Sequence, residues 1–326
     1  MPDPQIDVSI VVPTYGHSAQ LRRLLDSLDK LEPRPPFEVI IVDDCSPDNT
    51  EAVVNVWLAQ ERLFPARYLR LDRNSGPAAA RNEGTRLARG RRVAYTDSDC
   101  VVEPSWLWML TRKLAHDETL AAVGGLVLPL NPNGLYSKYN TVDGTLVPNE
   151  TVNYLITANA CYVRERVLEV GGFDTDVRKP GGEDVALSIK LGMAGWRFAY
   201  EPEAVVYHDY QESFRHFVRT WKNYAVGNGY VVAKYCGNLP EDGNTWHHNS
   251  LRPPWMTWSW TRHVLGIQRA KCRANSMPFG QTVKFIALRY VQMFVHCWYF
   301  QIGEEAFSGK RPLSARLKGL FVGFRK

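Results

Sequence analysis

Arg91-Arg92-Val93-Ala94-Tyr95-Thr96-Asp97-Ser98-Asp99-Cys100 is a short apolar run that stops at two carboxylates one residue apart. The run reads as a buried strand, and strands of open α/β sheets deliver ligand-binding groups at their carboxyl ends. Two carboxylates so close repel one another in apolar surroundings. A divalent cation relieves that repulsion, and Mg2+ typically takes one or two carboxylates together with phosphate oxygens. The stretch therefore predicts a metal–diphosphate site. Taken alone, Asp-x-Asp also fits a strand-ending turn with two solvated carboxylates.

The chain before it repeats the same grammar. Asp7 to Thr14 is a β-branched apolar run closed by polar residues, a first strand. Ser18 is placed to cap a helix whose apolar positions are Leu21, Leu24, Leu25 and Leu28. Phe37 to Val42 is a second strand stopping at Asp43-Asp44-Cys45-Ser46, and a helix follows with Val53, Val54, Trp57 and Leu58. Arg67 to Leu71 is a third strand, and Gly76-Pro77 opens the next helix, where proline suits the first turn. Strands alternating with helices predict βαβ units and a buried parallel sheet. The polar clusters at Thr14-Tyr15, Asp43-Asp44 and Asp97-Asp99 then line one edge and converge on one crevice. No Gly-x-Gly-x-x-Gly follows the first strand and no Walker A motif occurs, which disfavours a standard dinucleotide fold or a P-loop enzyme.

Beyond Pro104 the order becomes mixed. A helix with Trp106, Leu107, Leu110 and Leu114 leads to the strand Ala121 to Leu128. Residues 129–150, rich in Pro, Asn and Gly, predict a loop over the site. Asn153 to Val163 reads as extended, and Gly181-Gly182-Glu183-Asp184 opens a helix. A strand pair, Arg197–Tyr200 and Ala204–Tyr207, ends at His208. The last third is helical and aromatic: a face of Phe214, Phe217, Val218, Trp221 and Ala225, then Trp255, Trp258 and Trp260, an aromatic helix over Gln281–Gln301, and a face of Leu313, Leu317, Leu320, Phe321 and Phe324. His247-His248 lacks partner spacing and reads as surface.

At 326 residues the chain can bury a large core, with 45% hydrophobic and 22% charged residues. Its six cysteines are scattered without a Cys-x-x-Cys pair, which argues against zinc and a disulfide framework and fits a reducing compartment. The N-terminus lacks the pattern of a signal peptide, and Val283–Ile302, the most apolar long stretch, carries Lys284, Arg289 and His296. A cytoplasmic protein is expected. The net charge of +5 is divided unevenly: residues 251–326 hold 13 Lys/Arg and 2 Asp/Glu (net +11), leaving 26 and 32 (net −6) for the rest. A basic tail on an acidic body suggests an anionic partner for the tail.

Taken together the motifs resemble the family-2 glycosyltransferases, over roughly residues 7–235. The blocks are Val11-Val12-Pro13-Thr14-Tyr15, Val42-Asp43-Asp44-Cys45-Ser46, Gly76-Pro77-Ala78-Ala79-Ala80-Arg81-Asn82-Glu83-Gly84, Asp97-Ser98-Asp99, Thr157-Ala158-Asn159-Ala160, Gly171-Gly172-Phe173-Asp174 and Gly182-Glu183-Asp184-Val185-Ala186-Leu187. The resemblance implies an A-type glycosyltransferase (GT-A) fold. That is a Rossmann-like mixed, mostly parallel sheet flanked by helices, forming a nucleotide-sugar-binding and catalytic domain over 1–210 with a helical, aromatic and basic extension over 211–326. It implies an inverting, metal-dependent transfer of sugar from a nucleoside-diphosphate sugar, UDP first and GDP or dTDP open, to a hydroxyl acceptor.

The site residues follow residue by residue. Pro13, Thr14, Tyr15 and Asp44 would form the nucleobase pocket, with Asp43 as a second candidate that also fits a turn cap before Ser46. Arg81 would contact base or phosphate. Asp99 is the expected direct ligand of Mn2+ or Mg2+. Asp97, beside Ser98, would touch ribose or metal-bound water, or the metal itself. His208 matches a late metal-binding histidine, and Asn159 a position near donor sugar or acceptor. The general base falls in Gly182-Glu183-Asp184, at Asp184 or, as the alternative, Glu183. The tail is expected to dock on an anionic membrane, at the inner face of the plasma membrane; a packed helical core is the alternative, and no nucleic-acid-binding pattern occurs. Two rival readings stay open on sequence: a non-catalytic nucleotide-sugar or glycan-binding protein, and a phosphohydrolase using Asp97-Ser98-Asp99-Cys100-Val101 as a nucleophile loop.

Overall fold

The computed structural model describes residues 6–146, 153–235 and 258–308. The chain forms two compact units, one of residues 1–133, 146–178 and 183–210, the other of residues 134–145, 179–182 and 211–326.

The first unit begins with β1 (Val8–Thr14), α1 (Ser18–Leu28), β2 (Phe37–Asp43), α2 (Thr50–Leu58), β3 (Ala66–Arg70), α3 (Pro77–Leu87) and β4 (Arg92–Tyr95). It continues with β5 (Cys100–Val102), α4 (Trp106–His116), β6 (Leu120–Pro129), a 3-10 turn at Thr157–Asn159, β7 (Ala160–Val163), α6 (Arg164–Glu169), α7 (Glu183–Met193) and β8 (Arg197–His208); α5 belongs to the second unit. The strands make one sheet in the order β3-β2-β1-β4-β7-β6-β8-β5. β3, β2, β1 and β4 run parallel. β7 is antiparallel to both its neighbours, β6 and β8 pair in parallel, and β5 runs against the end of β8.

Every residue of β1 and β2 is buried, as a strand covered on both faces must be. Their side chains alternate between two cores. Ile10, Val12, Val39 and Ile41 pack with Leu21, Leu24, Leu25 and Leu28 of α1, Trp57 of α2 and Trp106 of α4. Val11, Ile40, Val42 and Tyr95 pack on the other face with Ala78 and Ala80 of α3 and Leu187 and Leu191 of α7. Each leucine fully buried in this way contributes about 1.5–3 kcal/mol.

Three local expectations are corrected. Ser18 opens α1 without capping it: His17 before it is left-handed (φ 63°), and Asp48 Oδ2 accepts the Ser18 N–H at 3.0 Å. Residues 129–146 are not all loop, because Leu135, Tyr139 and Val142 recur at helical spacing and fold as α5 (Leu135–Asp143). The strand pair ending at His208 is one strand, β8, whose register against β6 shifts between Gly125–Glu201 and Leu126–Val205.

The second unit is helical: α5, α8 (Phe214–Tyr235), α9 (Trp258–Ala274) and α10 (Phe279–Ser308). Glu212 caps α5, its carboxylate accepting the Tyr136 and Ser137 N–H groups at 3.0 Å each. Tyr139, Phe217, Cys272, Phe285 and Leu288 form the core. Asp143 holds α9 and α10 to α5, accepting from Lys271 Nζ (3.5 Å) and Arg289 Nη1 (3.1 Å). Among the described residues no helix is long and apolar enough to cross a membrane. The described cysteines, Cys45, Cys100, Cys161, Cys272 and Cys297, are free thiols. His247-His248, Trp255 and the Leu313–Phe324 face lie outside the described residues.

Candidate active site

The parallel strands β1, β2 and β4 end side by side, so the polar residues after each gather at one edge of the first unit. Thr14 sits opposite Asp43 in the sheet, and the next turn is stitched to it by Asp44 N–H donating to Thr14 O at 2.8 Å. Pro13 and Thr14 are buried, while Tyr15 is 49% exposed. Asp44 is buried, and its two oxygens accept the N–H groups of Ser75 (2.7 Å) and Gly76 (2.8 Å). It thereby brings the N-terminus of α3 to the same edge. Gly76 is needed there: its φ is 93°, and a Cβ would lie 2.6 Å from the carbonyl oxygen of Arg178. Asp43 is spent inside the fold. Its carboxylate accepts from Ser46 N (2.8 Å), Tyr68 Oη (2.6 Å) and Arg70 Nη1 (2.8 Å), so it fixes the turn and offers no open face to a nucleobase.

Asp97-Ser98-Asp99 forms the turn from β4 into β5, with Cys100 N–H donating to Asp97 O at 3.0 Å. Ser98 is buried; Asp97 and Asp99 keep 29% and 24% of their side chains exposed. β5 pairs Cys100 with His208 at the end of β8, which sets His208 Nε2 3.5 Å from Asp99 Oδ1. The other ring nitrogen, Nδ1, is buried without a hydrogen-bond partner.

Ligand atoms of Asp99, Cys100 and His208 lie within 4.8 Å of one another. Burial pushes the Cys100 thiol well above its usual range, so it stays protonated and is a poor ligand. The remaining pair, the Asp99 carboxylate and the His208 imidazole, suits Mn2+ or Mg2+.

Arg81 is where geometry departs most from the sequence reading. Its guanidinium is buried, donating from Nη2 to Asp97 Oδ1 (2.7 Å) and from Nη1 to Glu183 Oε1 (3.0 Å), with the Phe173 ring centroid 5.7 Å away. It is an internal clamp between the Asp-x-Asp turn and the first turn of α7, not a group held open for base or phosphate. Glu183 is buried in that ion pair, and Asp184 beside it is half-buried. Burial, reinforced by the Glu183 carboxylate and opposed by Arg81, pushes the Asp184 carboxyl up to about 7. Gly181 and Gly182 before it have φ of 121° and 97°, and a Cβ on either would strike Tyr224 or Gly227 of α8, so their backbone serves close packing.

Asn159 is not brought to the site. It is 1% exposed: Oδ1 accepts from Trp106 Nε1, and Nδ2 donates to the carbonyls of Leu126 and Ala204, all at 2.8 Å. Those two carbonyls flank the register shift between β6 and β8, and the amide fills the gap in the ladder. Asn82 is a further residue whose role the sequence left unread. Its amide receives Phe173 N–H (2.7 Å) and donates to Phe173 O (2.9 Å), fixing the loop that lays Phe173 against Arg81.

A mixed sheet whose parallel strand ends carry Thr14, Asp44 and an Asp-x-Asp turn, with carboxylates at the start of α7, has the architecture of the GT-A glycosyltransferases. The chain belongs to glycosyltransferase family 2. The model "Glycosyl transferase family group 2" matches residues 93–302, more than half the chain, and "Glycosyl transferase family 2" matches residues 9–167. The pre-mycofactocin glycosyltransferase of Mycobacterium tuberculosis is 33% identical over 226 residues, 65% of this chain and 44% of the relative. The succinoglycan biosynthesis protein ExoO of Rhizobium meliloti is 31% identical, over 65% of this chain and 64% of its own length. The poly-beta-1,6-N-acetyl-D-glucosamine synthase of Staphylococcus aureus is 28% identical, over 63% and 51%. The chain thus spans about half the length of the curated relatives it matches. Among solved structures, the mannosyltransferase PcManGT from Pyrobaculum calidifontis, in complex with GDP-Man and Mn2+, superposes with a TM-score of 0.63 at 22% identity, over 95% of this chain and 88% of that one. S. aureus TarS 1-349 in complex with UDP gives a TM-score of 0.53 at 17% identity, over 94% and 92%.

Proposed function

We propose that the first unit transfers a sugar from a nucleoside-diphosphate sugar, with UDP as the nucleotide, to a hydroxyl acceptor, with inversion and with Asp184 as general base. The observation that carries the reading is Asp184 itself. It is a carboxyl pushed to about 7 at the start of a helix that Arg81 ties, through Glu183 and Asp97, to the Asp-x-Asp turn. A base with that affinity for protons is matched to neutral pH. The acceptor oxygen attacks the anomeric carbon and its proton passes to Asp184. The bond from that carbon to the diphosphate oxygen breaks on the opposite face, so configuration inverts. Glu183 is bound into the Arg81 pair and positions the helix rather than receiving the proton.

Asp99 and Asp97, joined by His208 Nε2, fit a Mn2+ or Mg2+ ion. Asp97 and Glu183 share Arg81 with Asp184 close by, and Asp99 lies beside His208; a diphosphate adds more negative charge, which a divalent cation would offset. Bound there, the ion would act as a Lewis acid on the leaving diphosphate. Asp44 is a carboxylate at the ends of β1 and β2, an acceptor of the kind that reads a uracil N–H. Pro13, Thr14 and Tyr15 wall the same pocket. UDP accompanies TarS and GDP-Man accompanies PcManGT, so the fold accepts either base.

Substitution Asp184→Asn tests the base. Turnover should fall by at least about 10²-fold, while Mn2+-dependent donor binding stays within about twofold of wild type by calorimetry. Unchanged turnover would remove Asp184 from this role. Donor binding with no transfer in the wild type, across nucleotide sugars and acceptors, would favour a binding protein.

A further inference from the structure

α10 carries apolar residues around most of its circumference, and among the described residues it is covered along one side. Phe285, Leu288, Met293, Val295 and Phe300 face inward and are buried. On the opposite side Val283 (50%), Tyr290, Phe294 (59%), Trp298 and Ile302 are exposed, and the helix begins at Phe279, 84% exposed. Their spacing puts them in one stripe, which spans 19 helical steps from Val283 to Ile302 and is about 28 Å long. The Phe294 and Trp298 rings stack on it with centroids 6.2 Å apart. A helix hydrophobic all round normally lies in a core or a membrane, and a continuous exposed apolar surface marks a binding face.

The charge around the stripe says what covers it. From Trp258 to Ser308 the chain holds six Lys/Arg and two acids, Glu304 and Glu305 in the last turns of α10, a net +4. Lys271 and Arg289 turn inward to Asp143, while Arg269, Arg273 and Lys284 stay exposed. Segment 309–326 continues the pattern, with six more Lys/Arg, no acid, and apolar residues Leu313, Leu317, Leu320, Phe321 and Phe324 at helical spacing. A second copy of the chain is disfavoured as the occupant, because a two-fold interface sets this cationic face against itself. An anionic lipid surface satisfies both features: tyrosine and tryptophan sit at the interface, phenylalanine and isoleucine enter the acyl boundary, and arginine and lysine meet head groups.

We propose that the exposed face of α10, flanked by Arg269, Arg273 and Lys284, is an anionic-lipid docking surface that holds the second unit on the plane of a bilayer. It rests on the transferase reading only in suggesting why an acceptor would be met at a membrane; binding itself requires no donor.

Flotation of the full chain with vesicles decides it. One set is phosphatidylcholine alone, the other phosphatidylcholine with one-third phosphatidylglycerol. The protein should float with the anionic set, and raising salt from about 50 mM to about 500 mM should cut the bound fraction several-fold. Arg269→Gln/Arg273→Gln/Lys284→Gln should weaken binding roughly tenfold to hundredfold, and Phe294→Ser/Trp298→Ser at least about tenfold. Should the serine variant fail to fold, the glutamine variant and the salt series on wild-type protein still decide. Both variants should retain wild-type transfer to a soluble acceptor, which separates failure of docking from failure of the transferase reading. Absence of binding to anionic vesicles overturns the proposal. So does a stable dimer by sedimentation that the serine variant dissociates, since the face would then be a self-association surface.

Discussion

Asn159 and Asp184 stand in neighbouring motif blocks, and their surroundings send them to different work. The Asn159 amide has its acceptor and both its donors engaged in the core of the sheet, so removing it orphans the Trp106 indole N–H and two strand carbonyls. Asn159→Ala should therefore cost about 2–4 kcal/mol by denaturant unfolding and leave the donor KM of the folded protein unchanged; a raised donor KM at unchanged stability would return Asn159 to the site. Asp184 behaves oppositely. Its carboxyl is raised to about 7 by burial and by Glu183, so the folded state prefers the protonated form. Between the ordinary carboxylate range and pH 7 the native state binds more protons than the unfolded one, and stability falls as pH rises through that window. Asp184→Asn should accordingly stabilise the protein by about 1–2 kcal/mol above pH 7, with the gain vanishing towards pH 4, as read from melting curves across pH. In wild type, kcat/KM should climb with pH through a midpoint near 7 as the raised Asp184 carboxyl of the free enzyme ionises.

At the scale of elements, what the sequence shows depends on whether a pattern is local. β1, β2, α1 and α4 are legible because each is a run or stripe that announces its own burial. α5 is obscured because its three core residues, Leu135, Tyr139 and Val142, stand among Asn, Pro and Gly that read as turn. β8 reads as two strands because its register shift mimics a hairpin bend, and only the pairing with β6 shows one strand. In the candidate site Asp97, Asp99, Asp44 and Asp184 stand out as strand-end or helix-start carboxylates within motifs. The Arg81 clamp does not, since its partners Asp97 and Glu183 lie 16 and 102 residues away. That clamp makes the β4 turn and the start of α7 one mechanical piece. Arg81→Met would strip the buried Glu183 carboxylate of its ion pair, costing about 3–5 kcal/mol. Arg81→Met/Glu183→Gln should recover part of the loss, with a coupling energy of roughly 1–3 kcal/mol. Strict additivity of the two changes by chemical denaturation would show that the pair is not a unit. Arg81→Lys should rescue little, because an ammonium cannot span two carboxylates as a guanidinium does.

For the whole molecule, charge organises the chemistry. Residues 1–250 carry a net −6, and the proposed site concentrates several of those carboxylates around Arg81 and His208. A nucleoside-diphosphate sugar is itself anionic, so it meets repulsion there unless a cation arrives with it. At the proposed site a lone divalent ion would find two or three protein ligands among Asp97, Asp99 and His208 and would need phosphate oxygens to complete its shell. Donor and cation should thus behave as one ligand. In thermal-shift measurements, UDP-sugar with Mn2+ should stabilise by about 2.7 kcal/mol at a donor concentration of 100 times its dissociation constant, well above the sum of the two added separately. EDTA should return the melting temperature to that of the donor alone. Asp99→Asn should remove the synergy and leave the weaker, nucleobase-borne shift that Thr14 and Asp44 provide. A donor response of the same size with and without Mn2+ would take the cation out of this site and leave Arg81 as the main charge available to the diphosphate.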